Sequence, residues 1–180
     1  MEKLSAWQCY KLNKYGEKIV IEIEGNCLCG SGTPYSSCCQ PLHEHNKKPD
    51  TALCLMRSRF TAYAMKNSSY LLETWVETKR PKEINFSKEK SEWTKLEIIK
   101  TKKGEKKDSK GIVEFKAYYL LDNEEHVMKE ISRFQKKSGQ WLYLDGLVSS
   151  VGKVNKSENQ GKNAPCSCGS GKKFKRCCGK

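Results

Sequence analysis

The strongest constraint in this chain is a spacing that occurs twice. Cys27-Leu28-Cys29-Gly30-Ser31-Gly32 followed by five residues and Cys38-Cys39 is repeated as Cys166-Ser167-Cys168-Gly169-Ser170-Gly171, five residues, and Cys177-Cys178. Eight of the ten cysteines fall in these two copies. Two thiols two apart, a Gly-Ser-Gly bend, and two adjacent thiols can converge on one point, and glycine permits the backbone angles such a bend demands. A tetrahedral metal such as zinc needs four ligands about 2.3 Å away, which each copy supplies in full. Iron in a thiolate site is the alternative, since affinity order alone does not exclude it. With four protein ligands no coordination position is left for water, so the expected role is structural. A redox or disulfide pair competes with this reading, but adjacent cysteines are a poor frame for two ordinary disulfides.

At 180 residues with 37% apolar content, the chain can build one ordinary core with small appendages. It has no apolar run of membrane-spanning length, and Met1 to Trp7 lacks the pattern of a signal peptide. The expectation is a soluble, cytoplasmic protein. In a reducing compartment paired cysteines serve metals more often than disulfides. The formal charge of +13 points to acidic partners such as RNA, ribosomes, anionic membrane or acidic protein surfaces. Two filled tetrathiolate sites would reduce it to about +9.

Along the chain, residues 1–25 form an N-terminal arm in which the β-branched run Lys18 to Glu24 reads as a strand. The first knuckle spans 26–42. His43 and His45 have a ligand-like spacing, but the neighbouring thiolates already complete a site, so a solvated polar connector is expected. Asp50 can cap a helix over 51–66, and a second helix is expected over about 69–77, with Leu71, Leu72 and Trp75 on one face. Four strand-like runs follow, at Trp93–Thr101, Ile112–Leu121 (apolar on both faces), His126–Gln135 and the short Trp141–Leu144, joined by hairpin turns. Helices first and antiparallel strands after them is an α+β pattern over 50–147. Residues 79–110 hold twelve Lys or Arg and six Asp or Glu, a mixture that reads as a solvated face more readily than as a nucleic-acid groove. Residues 148–162, rich in Ser, Gly and Asn, read as a flexible linker to the second knuckle at 163–180. Cys54 reads as a small core residue and Cys9 as an ordinary thiol.

Asn163-Ala164-Pro165-Cys166 through Cys178-Gly179 resembles the SEC-C motif, the metal-binding tail of the SecA translocase motor. The resemblance implies metal ligation by Cys166, Cys168, Cys177 and Cys178. It also implies a partner surface at Lys172, Lys173, Phe174, Lys175 and Arg176, which match the region that engages the SecB chaperone in SecA. The first copy keeps the frame at Cys27, Cys29, Cys38 and Cys39 but carries Thr33, Pro34, Tyr35, Ser36 and Ser37 in place of the basic run, so docking on the central domain is expected of it.

The order of the knuckle, Ala52 to Tyr63, Thr74-Trp75, His126-x3-Glu130-x-Ser132-x-Phe134 and Trp141 to Gly146 resembles the YchJ family. That resemblance implies a central domain similar to nuclear transport factor 2, a curved antiparallel sheet wrapped around helices to form a cone with a pocket. Strand parity puts His126, Met128, Glu130, Ser132 and Phe134 on one face. With Arg57 reaching in from the helix, His126 and Glu130 are candidate pocket groups, for acid-base chemistry or as a satisfied polar network. Three functions remain open from sequence. They are a zinc-binding adaptor whose basic tail knuckle meets a targeting chaperone, nascent chain or ribosome; an enzyme or ligand binder using the pocket; and a nucleic-acid-binding protein.

Overall fold

The computed structural model describes residues 9–12, 18–21, 26–154, 163–166, 168 and 170–178. A small hairpin comes first: β1 (Cys9–Leu12) pairs antiparallel with β2 (Lys18–Ile21). The expected strand at Lys18 is thus present, with a partner that its sequence did not announce. The rest of the arm, and residues 155–162 of the expected linker, lie outside the described residues.

Three helices follow. α1 (Gln40–His43) starts directly at the last cysteine of the first knuckle, with Leu42 and His43 amides donating to Cys39 O. α2 (Ala52–Ala64) is capped by Thr51, whose hydroxyl accepts from the Cys54 amide at 3.0 Å, and not by Asp50. Asp50 is otherwise engaged: its carbonyl accepts from Trp141 Nε1 at 3.0 Å and its carboxylate pairs with Lys106. α3 (Ser68–Glu73) is capped by Asn67, which accepts from the Tyr70 amide. It stops short of the expected boundary. Trp75 leaves the helix and pairs with Tyr143 in a parallel bridge, with Val76 N to Tyr143 O and Tyr143 N to Thr74 O both 2.8 Å.

Four strands, β3 (Glu92–Lys103), β4 (Lys110–Leu121), β5 (Glu124–Lys137) and β6 (Gln140–Lys153), form an antiparallel sheet in sequence order. The β4–β5 turn places Asp122 and Asn123 at φ 52° and 62°, and the β5–β6 turn places Ser138 and Gly139 at 49° and 77°. Two central residues with positive φ make type I′ turns, whose twist suits tight hairpins. β4 was expected to be apolar on both faces, but it alternates. Val113, Phe115, Ala117 and Tyr119 are buried, while the other face is half-exposed and carries ion pairs such as Lys116–Glu97 and Lys129–Glu114.

β6 is the main departure from expectation. Residues 148–153 belong to this strand instead of to a flexible linker, and pair with β5 through Val148↔Glu130, Val151↔Met128 and Lys153↔His126. Their Ser and Gly content lowers side-chain packing, yet backbone pairing along β5 needs none, and the extension leaves Leu147, Val148 and Val151 exposed. Register shifts occur at Trp93/Lys95, Ile98/Lys100, Lys129/Glu130 and Arg133/Phe134, and such irregularities bend a strand.

The core lies between α2 and one face of this sheet. Ala52, Leu55, Met56 and Phe60 pack on Leu96, Val113, Phe115, Ala117, Phe134 and Trp141. A second cluster joins Leu42, Ala62, Tyr70 and Leu71, and a third consists of Cys27, Cys29, Tyr35 and Cys39. Among the described residues, no helix is long and apolar enough to cross a membrane.

Candidate metal centres and sheet pocket

In each knuckle the chain makes the same turn. The first cysteine amide donates across the bend, Cys27 N to Thr33 O and Cys166 N to Lys172 O, both at 2.7 Å. Gly32 and Gly171 take equivalent positive φ values of 79° and 70°. A short 3₁₀ turn, Tyr35–Ser37 or Phe174–Arg176, then delivers the adjacent cysteines. The sulfurs converge accordingly. Cys29 to Cys38 is 3.5 Å and Cys38 to Cys39 is 3.8 Å; Cys168 to Cys177 is 3.4 Å and Cys177 to Cys178 is 3.8 Å. In each set, the four sulfurs all lie within 4.8 Å of one another.

Tetrahedral coordination with bonds of about 2.3 Å requires sulfurs about 3.8 Å apart, so both clusters have the dimensions of a four-thiolate site and could hold a metal ion. A serine hydroxyl from the Gly-Ser-Gly bend approaches one sulfur in each, Ser31 to Cys38 at 3.1 Å and Ser170 to Cys177 at 3.2 Å. Mutual hydrogen bonding already separates the thiols. Contacts with Cys27 and Cys39 hold Cys29 well below the ordinary thiol range, while contacts with Cys27 and Cys29 push Cys39 up. In the second set the Ser170 hydroxyl leads in lowering Cys168 to about 6, and contacts with Cys166 and the other thiols raise Cys178 to about 12. A cation resolves this conflict, because it favours the thiolate at every position.

The two frames differ in what surrounds them. Cys27, Cys29 and Cys39 are at most 3% exposed, whereas Cys168 and Cys178 are exposed. The first knuckle sits on α2. Thr61 Oγ1 lies 3.6 Å from Cys27 Sγ and 3.5 Å from Cys39 Sγ, and the Arg57 guanidinium donates to Cys29 O. Tyr35, in the place of Phe174, is buried and bonds to His43 Nδ1 at 3.0 Å. His43 Nε2 faces Ser58 O at 2.9 Å. A carbonyl only accepts, so Nε2 carries the proton and Nδ1 accepts from Tyr35. Both ring nitrogens are therefore used, and burial pushes the His43 pKa down, keeping the ring neutral. His43 is a buried strut between knuckle and helix and not part of a solvated connector; His45 is exposed and pairs with Glu73.

Gly30 shows how closely the knuckle approaches the sheet. At φ 72°, a Cβ there would stand 2.8 Å from Leu96 O on β3. Gly30→Ala is expected to cost about 1–3 kcal/mol, from the strained backbone and the displaced strand. Urea unfolding measures it, and a midpoint equal to that of the native protein would refute the close approach.

The sheet pocket rearranges the expected residues. A cavity of about 240 Å³ lies between α2 and the sheet, lined by Glu130, Met128 and Ser132 as strand parity predicts. Arg57 does not reach it, being committed to Cys29 O; Arg59, two positions on, does. His126 shares the expected face but is absent from the cavity wall, because it stacks on Tyr119 with ring centroids 5.3 Å apart. An acid-base pair of His126 and Glu130 is thus not assembled. Cys54 is half-buried, and burial raises its pKa.

Residues 51–146 match the family described as "YchJ, middle NTF2-like domain", and residues 163–180 match the SEC-C motif. A UPF0225 protein of Vibrio cholerae serotype O1 is 37% identical over 157 residues, covering 86% of this chain and 99% of its own length. A UPF0225 protein of Photorhabdus laumondii is 38% identical over 159 residues, covering 85% and 98%. The solution structure of a SEC-C motif containing protein from Rhodopseudomonas palustris superposes with a TM-score of 0.62 at 32% identity, over 69% of this chain and 99% of that one. The crystal structure of a SEC-C motif containing protein from Psychrobacter arcticus gives a TM-score of 0.56 at 30% identity, over 87% and 96%. With its sheet-and-helix middle domain, its tail motif and relatives matched nearly end to end, the chain belongs to the YchJ, or UPF0225, family.

Proposed function

We propose that this protein is a zinc-stabilised adaptor in which the two thiol clusters have different work. The eight cysteines Cys27, Cys29, Cys38, Cys39, Cys166, Cys168, Cys177 and Cys178 hold two zinc ions, each closed to water by four thiolates and therefore structural. The first ion ties the N-terminal segment to α2. The second folds a small basic surface, Lys172, Lys173, Phe174, Lys175 and Arg176, for an acidic protein partner such as a targeting chaperone, a nascent chain or a ribosomal protein.

The observation that supports this division is one frame with opposite surroundings: Tyr35 is buried against His43, while Phe174 is only partly covered and its four basic neighbours are exposed. Part of the sheet's positive charge is already neutralised by Glu97, Glu114 and Asp145, which favours the tail over the sheet as the charged contact surface.

The test is binding of the intact protein to purified ribosomes and to a purified SecB-type chaperone, with and without Lys172, Lys173, Lys175 and Arg176 all changed to Glu. The charge reversal is expected to weaken binding by at least tenfold, about 1.4 kcal/mol. Equal binding by both forms, or binding only to free RNA with a steep loss in salt, would reject the reading. Metal analysis is expected to find about two zinc ions per chain. Iron would be visible by its absorption.

A further inference from the structure

The cavity between α2 and the sheet has a wall chemistry that neither thiol cluster uses. Most of the wall is apolar, from Met56, Phe60, Trp93, Phe115 and Met128, and it carries two charged side chains, which both meet Tyr143. The first is Arg59, only 2% exposed. Its Nη1 donates to Leu71 O and to Thr74 Oγ1, both at 2.7 Å. The guanidinium carbon lies 4.6 Å from the centroid of the Tyr143 ring and 5.1 Å from that of Trp75. Among the described residues, the ion pairs within 4.0 Å do not include Arg59. A guanidinium stays charged in a protein and has five N–H donors, of which Nη1 supplies two. The Glu130 carboxylate in the same wall acts on Arg59 only from beyond ion-pair distance, so no acidic group meets the guanidinium directly. Burying a cation without a direct partner is costly, and an apolar side chain would fill the same space without that cost.

The second is Glu130. Its Oε1 accepts from Ser132 Oγ at 2.5 Å and faces Tyr143 OH at 3.5 Å. Gly146 makes room for it, since a Cβ there would stand 2.1 Å from Oε1. The remaining oxygen, Oε2, has no hydrogen-bond donor among the described residues. Burial raises the pKa of the wall's tyrosines, Tyr63 and Tyr143, so both keep their protons and remain donors. The cavity therefore combines a charged donor fork, aromatic wall residues and a carboxylate acceptor.

We propose that this cavity binds a small monocyclic carboxylic acid bearing a hydroxyl or amino group away from its carboxylate. The carboxylate meets the Arg59 guanidinium, the ring lies against Phe60, Trp93 and Phe115, and the distal donor reaches Glu130. At about 240 Å³ the space sits just below the usual range for drug-sized ligands, which suits a single substituted ring. The ligand neutralises the buried cation, and Glu130 selects among acids by their donor. The inference is independent of the metal reading.

Calorimetry on the full chain with 4-hydroxybenzoate and 4-aminobenzoate tests it, with benzoate (no donor) and phenol (no acid) as comparators. At least one of the two bifunctional acids is expected to bind about tenfold more tightly than either comparator. Glu130→Ala is expected to remove the advantage over benzoate while benzoate itself binds no more weakly than before. Ala117→Leu, which fills the cavity from the sheet side, is expected to abolish binding of all four probes while amide chemical shifts away from the cavity are retained. Arg59→Met is a further probe, expected to remove the preference for acids over phenol. No binding of either bifunctional acid at about 10 mM, equal affinity for all four compounds, or binding that survives in folded Ala117→Leu would overturn the proposal.

Discussion

Cys39→Ser is expected to destabilise the whole central domain, whereas Cys178→Ser leaves it as stable as before. Both replace the last cysteine of the same frame, so the coordination chemistry lost is the same. The surroundings differ: Cys39 is 1% exposed and touches Thr61 of α2, while Cys178 is exposed. Structural zinc in a small peptide contributes about 10–16 kcal/mol of binding energy that appears as folding energy. Even a partial loss of that coupling should cost the core about 3 kcal/mol or more, with two buried thiols and the half-buried Cys38 left around a weakened centre. Cys178→Ser should stay within about 0.5 kcal/mol. Urea unfolding followed by tryptophan fluorescence decides the matter, because Trp141 is wholly buried in the core. A chelator should reproduce the Cys39→Ser result on the native protein. Equal midpoints for the two variants would remove the structural role given to the first centre.

Trp141→Ala has the largest expected effect on the sheet side. The indole is 0% exposed, donates to Asp50 O at 3.0 Å, and has Lys136 Nζ 4.9 Å above its ring. It packs in the same cluster as Ala52 and Leu55, at the start of α2. Truncation should cost about 3–5 kcal/mol through the lost contacts and the cavity left behind. Trp141→Phe keeps the aromatic packing and loses the hydrogen bond and some volume, so about 1–2 kcal/mol is expected. A loss for Trp141→Ala no greater than that for the phenylalanine variant would mean that the site collapses around the smaller residue.

Much of this architecture was written in local patterns. The sulfur frames were legible because ligand spacing is a strong signal, and both hairpin turns were legible because Asp122-Asn123 and Ser138-Gly139 suit positive φ. The parity of β5 correctly brought Met128, Glu130 and Ser132 to the cavity. The helix arginines were not legible. Arg57 and Arg59 are about 200° apart around the helix, and a charged residue is ordinarily read as a surface residue. Only the tertiary packing shows that Arg59 is inside and that Arg57 is committed to the knuckle. The burial of His43 was not legible for a similar reason, since its two partners, Tyr35 and Ser58, come from different elements. The extension of β6 was hidden because its side chains are polar or small and the pairing that defines it belongs to the backbone.

One feature of α2 reaches further than any single contact. From position 52 to 65 no side chain is exposed, although the helix holds two arginines, a serine and two threonines with its cap. Arg57 and Thr61 are turned to the first knuckle and Ser58 to the Tyr70 hydroxyl, while Met56, Arg59, Phe60 and Tyr63 are turned to the cavity. Such a helix has no neutral side on which mutations can accumulate. Across a deep mutational scan its positions should divide into two interleaved classes, one losing metal retention and the other losing cavity shape, with almost no tolerant residues between them.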